Sequence, residues 1–439
     1  MARIKFWILI TCLWQINATT AQPASPALLT SLLSKEQLAQ SLDTQAAWHH
    51  LPAYSNRVAW QRIPASLSRP WIQQGEQALA QSWQPILLQA YRAYEQTGSR
   101  EPMETPAGHN VQRLKSLVLA ELAEGKGRFI PEIANGLFFF CEMSTWAASA
   151  HLYLQRQQTS VPDVEDPIID IAGSNLAVLL AYTTHLLRQP LDAMSPAIGR
   201  RVQVEIQRRM LQPYYTRTDY WWMGYQTTAR PNNWTIWCNY NLLQCILLME
   251  TDPAKRLQGI YKTIETTDLF LATYEDDGVC EEGPSYWNRA AGYLQPYLDI
   301  LQRITGGRLQ AWQLPRIKAM GRFIMLAHVA GDYYFNYSDA PARLRPDAGI
   351  VYRYGAAIED STLMAFGKEL ALRQGWPQAA IQHDYLQVLL QNVNDRERIL
   401  SFAGAQPDKG THWLPKKELA TRLVPRYQSR AQWLEPWPQ

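Results

Sequence analysis

Apolar residues at helical spacing recur along nearly all of this 439-residue chain, while alternating runs are almost absent. Such a pattern restricts the fold to packed helices. Leu114, Leu117, Val118 and Leu122 share one face of an expected helix, as do Ile198, Val202 and Ile206 of another. Asp166-Pro167, Ser195-Pro196 and Asp252-Pro253 read as helix starts, because proline suits the first turn. Further helices are expected over 71–94, 137–151, 239–249, 286–304 (kinked at Pro296), 314–329, 358–372 and 378–393. Only Asp332–Asp339 reads as extended. About eleven helices on short loops make successive antiparallel hairpins. Without a strict repeat period, a closed (α/α) toroid fits an all-α chain better than an open solenoid.

The apolar fraction of 47% supports a large core. Lys and Arg total 42 against 39 Asp and Glu, a balance that points to neither a nucleic-acid nor a membrane-surface partner. Trp (17) and Tyr (22) outnumber Phe (10). Rings with a polar edge suit surfaces that stack a ligand and stay wet at the rim, and carbohydrate clefts are of this kind. Residues 1–21 read as a signal peptide: Arg3 and Lys5, an apolar run too short to span a bilayer, then small residues before Gln22. The expected location is periplasmic or secreted. Cys141, Cys238, Cys245 and Cys280 then remain. No CxxC spacing indicates a metal, no cofactor is called for, and the thiols are expected mostly buried. Residues 22–400 are assigned to the helical domain and 401–439, rich in Pro, Trp and charge, to an extension or linker.

The richest stretch is Arg230–Tyr293. Asn232-Asn233-Trp234 stands at one end, Glu282-Gly283-Pro284-Ser285-Tyr286-Trp287-Asn288-Arg289 at the other, and two apolar helical runs lie between. Upstream, Glu142 sits in an apolar run with Trp146 close behind, where an unpaired carboxylate is costly to bury. His151 follows nine residues later. Tyr214, Tyr215, Tyr220, Trp221 and Trp222 form an aromatic loop that reads as a ligand platform.

These segments together resemble the heparinase II/III-like polysaccharide lyases and the related oligoalginate lyases. The matching pieces are Cys141–Trp146 with Ala150-His151, Asp170 opening a helix, Asn232-Asn233-Trp234, Glu282–Trp287, and Tyr334–Asp339. They occur in the same order over some two hundred residues. The resemblance implies an (α/α) toroid, followed in full-length members by an antiparallel β-sandwich. Such a sandwich is not recognised in this chain, which leaves three readings open: a truncated or split product, the partner of a separate β-sandwich chain, or a toroid retained for binding.

It also implies β-elimination on an acidic polysaccharide or oligosaccharide. The proton at C5 of a uronate is weakly acidic until the C6 carboxylate is neutralised. The resemblance gives neutralisation to Asn232 or Asn233 and proton transfer to Tyr286. A tyrosine base needs a pKa below its usual value of roughly 10, and Arg289, three residues on, is the expected cation. Glu142, Trp146, His151, Trp234, Glu282, Trp287 and Arg289 are expected to line or orient the cleft. Asn233 stands where some relatives carry a His base, so a second base is missing from this stretch. Two alternatives stay open: a toroid that binds acidic polysaccharide without turnover, and a toroid glycoside hydrolase using Glu142 and Glu282.

Overall fold

The computed structural model describes residues 28–43, 48–49, 51–226, 229–376 and 383–404. The stretches read as a signal peptide and, nearly all of it, as a C-terminal extension lie outside them. The described chain is overwhelmingly helical, as the apolar periodicity predicts. Its longer helices are α1 (Ala65–Leu79), α2 (Leu88–Thr97), α3 (Glu101–Glu124), α4 (Ile130–Glu142), α5 (Ile171–Leu186), α6 (Pro196–Ile206), α7 (Asn233–Met249), α8 (Pro253–Leu271), α9 (Ala291–Ile304), α10 (Pro315–Leu326), α11 (Ala348–Ala357), α12 (Ser361–Arg373) and α13 (Leu386–Ser401). A small antiparallel pair, β1 (His328–Ala330) and β2 (Tyr333–Tyr334), lies within the region between α10 and α11.

Helices α5, α7, α9, α11 and α13 pack in succession, and α13 also touches α5. They share one direction. Near their N-termini lie Asp170, Asn233, Arg289, Asp347 and Tyr385, which belong to one polar and aromatic neighbourhood. Toward the C-terminal halves of α9, α11 and α13, Asp299, Arg353 and Asp395 line a different space. Outer helices return the chain: α8 packs along α7, α10 lies beside α9 and α11, and α12 packs against α11.

Several boundaries differ from the sequence reading, each for a physical reason. The helix expected over 71–94 is two, because the link between α1 and α2 contains Pro85 and Asn110 ties down its neighbour. Asn110 accepts from Gln84 N at 2.9 Å and donates to Gln84 O at 2.8 Å. The run 137–151 also divides: α4 stops at Glu142, and His151 sits in a separate 3-10 turn, Ser149–Leu154. Asp166-Pro167 opens no helix; α5 starts later, where Asp170 caps it. Ser195 and Asp252 cap α6 and α8 as expected. Helix α7 begins six residues earlier than the apolar run suggests, because Asn232 supplies its cap. The segment 286–304 is a short 3-10 turn followed by α9, broken at Ala290. The helix expected over 358–372 starts at Ser361, capped by Asp360 after the separate α11, and the one expected over 378–393 runs from Leu386 to Ser401. Cys141, Cys238, Cys245 and Cys280 are all buried free thiols. Burial raises the pKa of each, so they behave as core residues.

Candidate functional site

The α7–α8 hairpin builds the site. Its arms are about 26 and 28 Å long at the usual helical rise, so the chain leaving α8 returns to the start of α7. This return sets Glu282 beside Asn233, whose amide Nδ2 donates to Glu282 Oε2. Gly283 permits the next turn. Its φ is +92°, and a Cβ there would stand 2.5 Å from the Tyr337 carbonyl oxygen, so only glycine fits. Tyr286 follows, half-buried, and feels the charges of Glu282 and Asp339.

Burial lifts the Glu282 carboxyl to about 7; the Asn233 amide opposes this, while Glu281 and Asp339 add to it. The acid therefore titrates close to neutrality. The sign for stability follows directly. A carboxyl raised on folding is harmless while protonated in both states and destabilises as pH rises from its unfolded value through about 7. Glu282→Gln keeps a carbonyl for Asn233 and removes the buried charge. Its expected gain over wild type is on the order of 2 kcal/mol at pH 8.5, shrinking toward zero at pH 4. Urea unfolding at the two pH values measures it; an equal difference at both would contradict this account of Glu282.

A second pair stands one residue along α7. His151 Nδ1 lies 2.6 Å from Asp170 Oδ2, and the His151 ring packs edge-on to Trp234 at 4.6 Å. Asp170 is fully buried and saturated: Ala148 N donates to Oδ2 at 3.0 Å and Gly173 N to Oδ1 at 2.7 Å. A carboxylate that accepts only must receive the Nδ1 proton, which leaves the Nε2 lone pair for other work. Trp234 continues to Trp221 at 5.3 Å, and Trp221 Nε1 donates to the hydroxyl of exposed Tyr153 at 3.0 Å. These rings form the partly open aromatic edge of the site.

One turn further along α7, Trp237 Nε1 donates to Asn175 Oδ1 at 2.7 Å and also to the Tyr385 hydroxyl. Asn175 Oδ1 accepts from Asn241 Nδ2 at 2.8 Å as well. Arg289 stacks over Trp237 at 4.8 Å and pairs with Asp384 at 2.7 Å. Beside Tyr286, a cavity of about 370 Å³ is lined by Ser285, Asn288, Arg289, Arg345 and Asp347, among others.

The structure brings together Asn233, Glu282, Tyr286 and, one step away, His151 and Trp234. Asn232 lines the same recess as Asn233 and Glu282, while its side-chain oxygen caps α7 by accepting from Trp234 N at 3.0 Å. Other expected site residues are placed differently. Glu142 is not buried: it ends α4 with its side chain 68% exposed and pairs with Arg201 at 3.1 Å, a surface contact outside this group. Trp146 is a core residue whose Nε1 donates to Phe140 O at 2.8 Å, with Arg209 over its ring. Trp287 is likewise core, donating to Met320 O at 2.8 Å. Neither ring can stack a ligand without repacking. Arg289 does not lower the Tyr286 pKa below its ordinary value. Burial raises it, Glu282 and Asp339 raise it further, and Arg289 only partly offsets them. The aromatic loop is mostly core too, since Tyr214, Tyr220 and Trp222 are buried.

Sequence reasoning missed Asp170 as the partner of His151, gave Trp237 no role of its own, and missed Asn175 and Tyr385 altogether. The spacing of Asn233, Trp237 and Asn241 at i, i+4 and i+8 carried the available signal, a polar stripe on an apolar helix. Among the described residues, no group of three His, Cys, Asp or Glu side chains could hold a metal ion, and no helix is long and apolar enough to cross a membrane. No family profile matches the chain, and no curated protein matches it.

Proposed function

We propose that the protein is a polysaccharide lyase of the heparinase II/III-like type, an (α/α) toroid that cleaves uronic-acid saccharides by β-elimination. The observation that carries this reading is the Asn233–Glu282 pair with the Tyr286 phenol beside it. The shared direction of α5, α7, α9, α11 and α13, and the contact of α13 with α5, support the toroid.

In this reading the Asn233 amide and protonated Glu282 hydrogen-bond the C6 carboxylate and draw off its charge, which acidifies C5. His151 Nε2 takes the C5 proton, held in place through Nδ1 by Asp170. This supplies, from another element, the second base that the Asn232-Asn233 stretch lacks. The C5 electron pair forms the C4–C5 double bond as the C4–O bond breaks. Tyr286, kept protonated by its raised pKa, gives its proton to the leaving oxygen. Trp234, Trp221 and Tyr153 stack the sugar rings. The hydrolase alternative loses ground because Glu142 is committed to Arg201 rather than facing Glu282.

The deciding experiment is incubation with alginate, heparan sulfate, hyaluronan and chondroitin, read by the ultraviolet absorbance of the unsaturated product. Turnover of at least one is expected; binding without any product would leave only a sugar-binding toroid. The pH profile gives an independent check. The neutralising role requires protonated Glu282, so kcat/KM should fall as pH rises through about 7, and Glu282→Gln should flatten that limb. A falling limb unchanged in the variant would remove Glu282 from the mechanism.

A further inference from the structure

A cavity larger than the one beside Tyr286 lies away from this site. It encloses about 1200 Å³ beside the C-terminal halves of α9, α11 and α13. A smaller recess continues inward from it, sharing Leu51, Asp299 and Gln391, and ends against Tyr182 and Tyr240. Tyr240 stacks on Tyr293 at 5.7 Å, and Tyr293 meets Trp237 at 5.5 Å. This layer of rings separates the cavity from the Asn233–Glu282–Tyr286 neighbourhood.

The lining is polar and carries a surplus of cations: five arginines against Asp299, Asp395 and Glu397. Arg303 pairs with Asp299 at 3.0 Å, and Arg353 and Arg398 both turn to Asp395 at 3.1 Å. Two lining groups are buried with hydrogen-bonding capacity unused. Arg353, 5% exposed, spends Nη1 on Asn392 and Asp395, but Nε and Nη2 have no partner. Gln295, 3% exposed, has an unpartnered Oε1. Buried donors and acceptors left unmade are costly, and a ligand in this cavity would complete these two. A guanidinium with two free N–H groups matches the two oxygens of a carboxylate or sulfate, and a neighbouring amide carbonyl accepts from a hydroxyl.

We infer that this cavity is a second ligand site, for a hydrophilic molecule bearing a carboxylate or sulfate beside hydroxyl groups, such as a sugar acid. It is independent of the lyase reading, since it shares no residue with that site.

The test uses the full chain carrying Asn233→Ala and Tyr286→Phe, which disables the first site. Sodium glucuronate, sodium sulfate and glucose are titrated by calorimetry. Saturable glucuronate binding is expected, with sulfate competing and glucose at least tenfold weaker. Arg353→Gln should weaken glucuronate at least tenfold. Arg303→Gln, at the partly exposed rim, should weaken it about threefold and guards against a folding defect in the first variant; circular dichroism checks both. Absence of saturable binding, equal binding of glucose, or unchanged affinity in both arginine variants would overturn the proposal.

Discussion

Tyr286→Phe is expected to lower kcat on a uronate polysaccharide by about 100-fold or more while leaving KM within a few-fold. General acid catalysis is typically worth about 10²–10⁴-fold, and phenylalanine keeps the ring but has no proton to give. On the proposed mechanism the effect should fall on kcat, because the phenol would act on the leaving oxygen, where negative charge develops only as the C4–O bond breaks. Tyr286 is half-buried, so the variant should unfold within about 0.5 kcal/mol of wild type. The raised pKa adds a discriminating detail. A phenol that burial, Glu282 and Asp339 hold protonated is a ready acid and a poor base. Substrates with a better leaving group at C4 should therefore lose less on Tyr286→Phe. Equal product formation by wild type and variant, measured by absorbance under saturating substrate, would end the mechanism proposed for this residue.

Asp170→Ala should cost roughly 3–5 kcal/mol of stability, the largest loss from any single site residue. The side chain is wholly buried and does three things at once. It caps α5 through Gly173 N, anchors the preceding loop through Ala148 N, and holds His151. Removing it leaves two backbone N–H groups and an imidazole without their acceptor in a place water reaches poorly. Chemical denaturation measures the loss. Asp170→Asn separates the roles: its amide oxygen can still cap α5, but it cannot serve all three donors as a carboxylate does. Turnover in Asp170→Asn should fall more than stability does, at least tenfold, if the histidine is the base. A variant that keeps full turnover with a weakened fold would leave Asp170 structural.

Much of the fold was legible because helices announce themselves locally. Ser195-Pro196 and Asp252-Pro253 contain both the cap and the first turn, and the structure starts α6 and α8 there. The errors arise where a distant residue decides. Nothing in residues 71–94 shows that Asn110 will bond both backbone groups of Gln84. Glu142 stands in an apolar run, yet its exposure depends on its place at the end of α4, which the run itself does not mark. The same limit applies to the site. Asn233 and Glu282 were visible as separate ends of one stretch, but their meeting depends on two helices of nearly equal length. Aromatic residues were hardest to place. Trp146, Trp234 and Trp287 read alike in sequence, and only the packing distinguishes the partly open ring from the two core rings.

The common direction of α5, α7, α9, α11 and α13 has an electrical meaning. Each helix carries a partial positive charge of roughly half a unit at its N-terminus and the opposite at its C-terminus. Five parallel helices thus polarise the interior along its axis, positive toward Asn233 and Tyr286 and negative toward Arg353 and Asp395. The positive end belongs to peptide groups, which neither titrate nor rearrange. Under the proposed function, a uronate approaching Glu282 would meet that standing field whether or not Glu282 is ionised. At the other end, the arginine surplus sits where the field favours cations, so part of its charge answers the helices themselves.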